Sequence, residues 1–361
     1  MPVRVLIVDD SPLVRDVLCA ALAAQPGIAV VGTARDALQA RQMIKQLDPD
    51  VLTLDVEMPA MDGLTFLRNL MRLRPMPVVM VSSLTTHGAD TTLEALEIGA
   101  VDCLSKPRFD TAAAFDDYAA SLAESIRMAA RARIRAGAQD TATSAAARGG
   151  ASASTATWPH VVSRVIAIGA STGGTEAIKR VLATLPADSP GIVIAQHLPG
   201  AFSAAFARRL DAGCELRVRE AVDGQPLLPG HAFVAPGGRH LALVREGRRY
   251  LCRLREGPAV NRHKPSVDVL FESVAAAAGR DAIGVLLTGM GRDGAQGLCA
   301  MREAGGMTIA QDEATSVVWG MPGEAIALGA AAQVLPLGAI GLRLRELRHA
   351  CGASGQHAAG R

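Results

Sequence analysis

Residues 131–159 read "RARIRAGAQDTATSAAARGGASASTATWP", which is Ala, Ser, Thr, Gly and Arg with almost nothing large to bury. Such a stretch cannot build a core, and it reads as a flexible linker spanning 128–160. Its first arginines are expected in the last turn of the helix before it. The linker splits the chain into two folding units, 1–127 and 161–348, and leaves a tail at 349–361 that is expected to be disordered.

Each unit alternates short apolar runs with amphipathic ones. In the first, "VRVLIVDD", "IAVVGTA", "VLTLDVEM", "PVVMVSS" and "DCLSKP" read as strands, and "PLVRDVLCAALAAQ", "ALQARQMIKQL", "GLTFLRNLMRL" and "DTTLEALEIG" as helices. A fifth helix carries Phe115, Tyr118, Leu122 and Ile126 on one face. Five β/α units predict a five-stranded parallel, doubly wound α/β sheet covered on both sides. In the second unit "RVIAIGA", "GIVIAQH", "DAIGVLLTG", "GMTIAQD" and "AQVLPL" read as buried strands of a mostly parallel sheet. Residues 231–256 read instead as antiparallel hairpins.

Composition removes several function classes. The formal charge of +2 gives no electrostatic case for nucleic acid. The six cysteines form no CxxC pair, which argues against a zinc site and fits reduced thiols in a cytoplasmic protein. The first ten residues, ending in two acids, do not read as a signal peptide. The apolar stretch "IALGAAAQVLPLGAIGL" (326–342) is interrupted by Gln333, Pro336 and glycines, so it reads as buried helix and strand rather than a membrane-inserted segment.

Sites in parallel α/β sheets form at the carboxyl ends of strands. Asp9 and Asp10 end the first strand, Asp55 the third, Ser82 the fourth and Lys106 the fifth. Any one acid there could simply cap the following helix. Together, three carboxylates favour a hard cation such as Mg²⁺, and the lysine could pair with an added anion. This set resembles the response-regulator receiver domain over residues 1–125. The resemblance implies that Asp55 accepts a phosphoryl group from a histidine kinase. It also implies that Asp9, Asp10 and Asp55 hold Mg²⁺, and that Ser82 and Lys106 contact the phosphoryl group. Three positions before the lysine, where receivers often carry an aromatic switch residue, stands Cys103.

In the second unit "VIAIGASTGG" (165–174) runs from strand into a glycine-rich turn around Ser171. The pattern G-x-S-x-G fits a nucleophile elbow, but also a phosphate loop or a plain structural turn. His197, at the end of the next strand, supplies a base that could take the serine proton. The other seven histidines, His263 among them, fall mostly in loops, hairpins or near the tail and are worse placed. "VLLTGMGRDGAQGL" brings Asp293 to a third strand end, where it could cap a helix or orient the imidazole; beside Ser171 and His197 the triad is the better reading. The N–H of Thr172 and one in the glycine-rich turn, at Met290, would hold an oxyanion.

The phrases "IGASTGG", "QH", "APGGRHL", "KPSVDVLF", "LLTGMGRDGA" and "AQDEATSVVWGMPG" make residues 161–348 resemble the catalytic domain of the chemotaxis protein-glutamate methylesterases. A receiver followed by this domain is that family's architecture. The resemblance implies hydrolysis of glutamate methyl esters on chemoreceptors, deamidation of receptor glutamines, and no cofactor for the ester reaction. It assigns Ser171 as nucleophile, His197 as base and Asp293 as its orienter, gives Met290 to the oxyanion hole, and places Trp319 and Met321 along the cleft. It also makes the unphosphorylated receiver a lid. Two other readings remain at this point: a receiver joined to a nucleotide-binding module, and an adaptor or phosphate sink without significant esterase turnover.

Overall fold

The computed structural model describes residues 1–58, 61–82, 86–106, 111–132 and 164–347. Most of the linker, the tail and the Pro107 turn lie outside the described residues.

Five strands form the first sheet: β1 (Val3–Val8), β2 (Ile28–Ala34), β3 (Val51–Asp55), β4 (Val78–Ser82) and β5 (Asp102–Ser105). They are all parallel, in the order β2-β1-β3-β4-β5. β3 and β4 are buried along their whole length, as the unbroken apolar runs require of strands covered on both faces. The helices are α1 (Pro12–Ala23), α2 (Ala37–Leu47), α3 (Gly63–Leu73), α4 (Thr86–Ile98) and α5 (Ala112–Ala129). Four begin at side-chain caps, Ser11, Asp36, Asp62 and Thr111. Capping therefore falls to these residues and leaves Asp9, Asp10 and Asp55 for other work. Helix α4 starts four residues before the expected "DTTLEALEIG". Helix α5 stops at Ala129, so Arg131 sits in the turn beyond it, its N–H donating to the Met128 carbonyl at 2.9 Å, rather than in the last helical turn.

The second sheet has seven strands in the order β14-β13-β12-β6-β7-β9-β8, every pair parallel. They are β6 (Val165–Ala170), β7 (Gly191–Gln196), β8 (Arg217–Glu220), β9 (His231–Val234), β12 (Ala282–Leu286), β13 (Met307–Gln311) and β14 (Gln333–Leu335). β10 (His240–Glu246) and β11 (Arg249–Arg255) form a separate antiparallel ribbon. The hairpin expectation for 231–256 thus holds only for its second half. β9 joins the main sheet between β7 and β8, and beyond it the backbone of Gly237 runs against Gly200 too closely for any side chain. β14 is an edge strand with Val334 46% exposed, which corrects its reading as buried; Leu328 and Leu342 in the same stretch are also exposed.

The helices of this unit are α6 (Gly174–Ala183), α7 (Gly200–Gly213), α8 (Val267–Ala278), α9 (Ala295–Glu303), α10 (Met321–Ala327) and α11 (Leu337–Leu347). α4 of the first unit packs on α7 and α6 of the second.

The end of β6 is pressed against the start of α8. A Cβ on Gly169 would lie 2.2 Å from Val267 Cγ1 and 3.1 Å from the Phe271 ring, both fully buried. Gly169→Ala should therefore destabilise the second unit by about 1–3 kcal/mol through overpacking. Urea unfolding of the variant and the wild type measures this.

Candidate active site and phosphoacceptor cluster

Three strand ends of the second sheet meet at one edge. Ser171 follows β6; its N–H donates to the Thr288 carbonyl at 3.0 Å, and its carbonyl accepts from Gln196 Nε2 at 2.8 Å. Gly173, at φ 76° in the left-handed region, then turns the chain into α6. His197 follows β7, its N–H donating to the Ala170 carbonyl at 3.2 Å. Neighbouring strands therefore bring Ser171 and His197 side by side. Gly289 closes the third side: a Cβ there would fall 2.8 Å from Ser171 Cβ.

His197 Nε2 lies 2.8 Å from Asp293 Oδ2, while its Nδ1 is buried without a hydrogen-bond partner. Asp293 is fully buried. Helix α9 is entered through Gly294 with no side-chain cap, so Asp293 is not an N-cap. Its carboxylate accepts from Ser266 Oγ at 2.8 Å, from the Val267 N–H at 2.7 Å, from the Asp268 N–H at 3.2 Å and from Asn261 Nδ2 at 2.8 Å. Burial works to raise its pKa, but His197 and the other donors outweigh it and hold the carboxyl below the usual range.

Thr172 is buried, and its hydroxyl lies 3.5 Å from Met128 Sδ in the last turn of α5. Met290 is half-buried on the loop before Asp293. Trp319 is 39% exposed at the rim and bridges Gly289. Met321, expected to line the cleft, is instead fully buried, because Gly289 leaves a space that its sulfur fills from below.

Two residues at this edge carry no signal that the strand-end argument could use. His263 stacks on His197 with ring centroids 3.6 Å apart and planes within 8°. The sequence sets it among the poorly positioned histidines, but a tight turn returns it to the site. Burial, then the neighbouring His197, push its pKa down to about 4. Asn261, two residues earlier, reaches Asp293.

At the edge of the first sheet, Asp9 and Asp55 are buried and Asp10 is exposed. One oxygen from each of the three lies within 4.8 Å of the others. Lys106 Nζ stands 2.8 Å from Asp55 Oδ2 and 3.2 Å from Asp9 Oδ2. Asp55 Oδ1 and Ser82 Oγ are buried with no hydrogen-bond partner, and buried Asp9 Oδ2 has only the ion pair with Lys106. Burial lifts Asp55 to about 6 against the pull of Lys106. Buried, unsatisfied hard oxygens in this number fit a small divalent cation such as Mg²⁺. Cys103 is buried on β5, where it pairs with Met80 of β4.

The two units meet through ion pairs as well as helix packing. Glu97 lies 2.7 Å from Lys179 and 3.6 Å from Arg209; Asp90 is 3.6 Å from Arg208; Glu124 is 3.3 Å from Arg262.

Comparison with known proteins matches two family models: CheB methylesterase over residues 166–344 and the response regulator receiver domain over 5–113. A Xanthomonas euvesicatoria relative, described as protein-glutamate methylesterase/protein-glutamine glutaminase 1, is 56% identical over 348 residues, 96% of this chain and 97% of its own. A Thiobacillus denitrificans relative of the same description is 54% identical over 352 residues, with 96% and 97% covered. The crystal structure of the Thermotoga maritima CheB methylesterase catalytic domain aligns with a TM-score of 0.50 at 38% identity, covering 51% of this chain and 98% of that one.

The donors around Asp293 hold its carboxyl below the usual range. The folded state holds the ionised form more favourably than the unfolded chain does. Its contribution to stability is therefore present above the unfolded value and lost as pH falls through the folded one. The stability difference between wild type and Asp293→Asn should be largest near neutral pH and shrink as pH drops below about 4. Urea unfolding across a pH series reads it directly.

Proposed function

The chain belongs to the CheB methylesterase family, and on that premise we propose that Ser171 attacks the carbonyl of a glutamate γ-methyl ester on a chemoreceptor. A new Oγ–C bond forms and the hydroxyl proton passes to Nδ1 of His197, the buried nitrogen without a partner. Asp293 holds the opposite ring nitrogen and offsets the charge of the imidazolium. The N–H groups of Thr172 and Met290 receive the developing oxyanion. The C–O bond to the methoxy group then breaks, His197 returns the proton, and methanol leaves. Water activated by the same histidine hydrolyses the acyl-enzyme, giving a free glutamate and restoring Ser171. A receptor glutamine would follow the same route with ammonia leaving. Trp319, at the exposed rim, would meet the substrate. The observation that carries this reading is His197, with one nitrogen on a fully buried carboxylate and the other left unpaired, at the strand end beside Ser171.

Residues 1–127 would act as a receiver domain, 128–160 as a linker and 161–348 as the catalytic domain, in the cytoplasm. No helix among the described residues is long and apolar enough to cross a membrane. Asp55 would accept a phosphoryl group from a histidine kinase, with Ser82 and Lys106 contacting it. Asp9, Asp10 and Asp55 would hold Mg²⁺, which when bound neutralises charge on the incoming group. Met128 against Thr172, with the ion pairs around it, makes the unphosphorylated receiver a lid over the oxyanion side.

Ser171→Ala should lower methanol release from methylated receptor fragments by several orders of magnitude. His197→Ala and Asp293→Asn should be severe too, and the combined variants little worse than Ser171→Ala, because the three act as a unit. A Ser171→Ala protein retaining more than about a tenth of wild-type turnover would place the nucleophile elsewhere.

The lid generates a separate expectation. Exposed ion pairs contribute about 0.2–1 kcal/mol each, so reversing charge at Lys179 and Arg209 together should raise unphosphorylated turnover by a few-fold to about tenfold. The same variants should respond less to added salt than wild type does.

A further inference from the structure

The residues Val260 to His263 form a two-residue turn. The N–H of Val260 donates to the His263 carbonyl at 3.1 Å, and that of His263 returns to the Val260 carbonyl at 2.9 Å. Both central residues are left-handed, Asn261 at φ 49° and Arg262 at φ 67°. Asparagine tolerates that region and arginine does not favour it, so the turn holds a conformation that its surroundings must enforce.

The surroundings are the triad. Asn261 Nδ2 donates to Asp293 Oδ1 at 2.8 Å and to Asp268 Oδ2 at 2.7 Å. One amide group thus bridges two buried carboxylates. Asp268 has one further donor, the Gly297 N–H on its other oxygen at 2.7 Å. Without the bridge, two buried carboxylates would face each other with one shared donor fewer, which favours protonation of one of them. Burial already pushes Asp268 upward, and the charge of Asp293 adds to that. Two residues on, His263 lies flat against His197. A single turn therefore bears on both partners of the Asp293–His197 contact. Asn261 also lines a cavity of about 320 Å³ with Asp268, Arg292 and Glu324, and neither Ser171 nor His197 lines it.

We propose that Asn261 is a positioning residue for ester hydrolysis: it clamps Asp268 and Asp293 through one amide and keeps Asp293 charged and aimed at His197, without touching substrate. The proposal rests on the reading of Asp293 as the orienter of His197.

The test uses the full-length protein, a saturating phosphodonor with Mg²⁺, and methylated receptor fragments. Asn261→Gly removes the amide but keeps the left-handed turn. It should lower kcat about 10- to 100-fold, the value of a buried hydrogen bond to a charge, with KM within about twofold. Asn261→Asp also fits the turn and adds a third carboxylate, so its kcat should fall at least as far. Adding Asp268→Asn to either variant removes the repelling charge and should recover most of the loss. A role in folding alone would show no such recovery. Wild-type kcat in Asn261→Gly, an effect confined to KM, or double variants no better than the singles would each overturn the clamp. Asp293→Asn run alongside separates the two readings. If it abolishes turnover while Asn261→Gly does not, only the clamp fails; if it leaves turnover intact, the triad reading fails and the clamp with it.

Discussion

A carboxylate without solvent exposure must be surrounded by donors, or it will not stay charged. Asp293 is such a group, and the catalytic edge is organised by satisfying it. Its partners come from three places: the end of β7 through His197, the first turn of α8 through Ser266, Val267 and Asp268, and the 260–263 turn through Asn261. Bringing these elements together demands room. Gly169 and Gly294 each admit Val267 where any side chain would collide, and Gly297 admits the backbone of Asp268. The glycines that make "IGASTGG" and "GRDGAQG" look like loops are in part the space that lets α8 approach.

This explains which parts of the site were legible in the sequence. Strands announce themselves by apolar runs, and a parallel sheet gathers the residues that follow its strands, so Ser171, His197, Asp293 and the Asp9–Asp55–Lys106 cluster could be read as sets. Asn261 and His263 follow no strand of that sheet. They arrive on a tight turn whose only local mark is two left-handed residues, and neither "NR" nor a lone histidine advertises that. Met321 is a different case: a segment lining a cleft still has residues that point inward, and Met321 is fully buried beside Gly289. β9 shows the same limit for topology. Its apolar run is clear, but its partners are β7 and β8, strands well before it in the chain, and nothing local to the run names them.

The first unit is the more regular of the two, and its expected five parallel strands and its helix positions hold within a few residues. Its departure is chemical. Cys103 sits buried on β5, the strand that runs from Asp102, hydrogen-bonded to Ser125 of α5, up to the residue before Lys106. A small buried thiol there has no ring to move between core and surface. Of the helices that flank β5, α4 packs on α6 and α7 of the second unit, and α5 reaches that unit through Met128 and Glu124.

The ion pairs across that contact are sorted by sign. Among the described residues, every acid in them belongs to the first unit (Asp90, Glu97, Glu124) and every base to the second (Lys179, Arg208, Arg209, Arg262). A phosphoryl group on Asp55 would make the acidic partner more acidic. Unless a bound cation offset that added charge, long-range electrostatics would draw the two units closer, the reverse of opening. If the first unit is a lid over the second, its release on phosphorylation would have to come from a change in shape that overcomes this attraction, and such a switch would work against its own field.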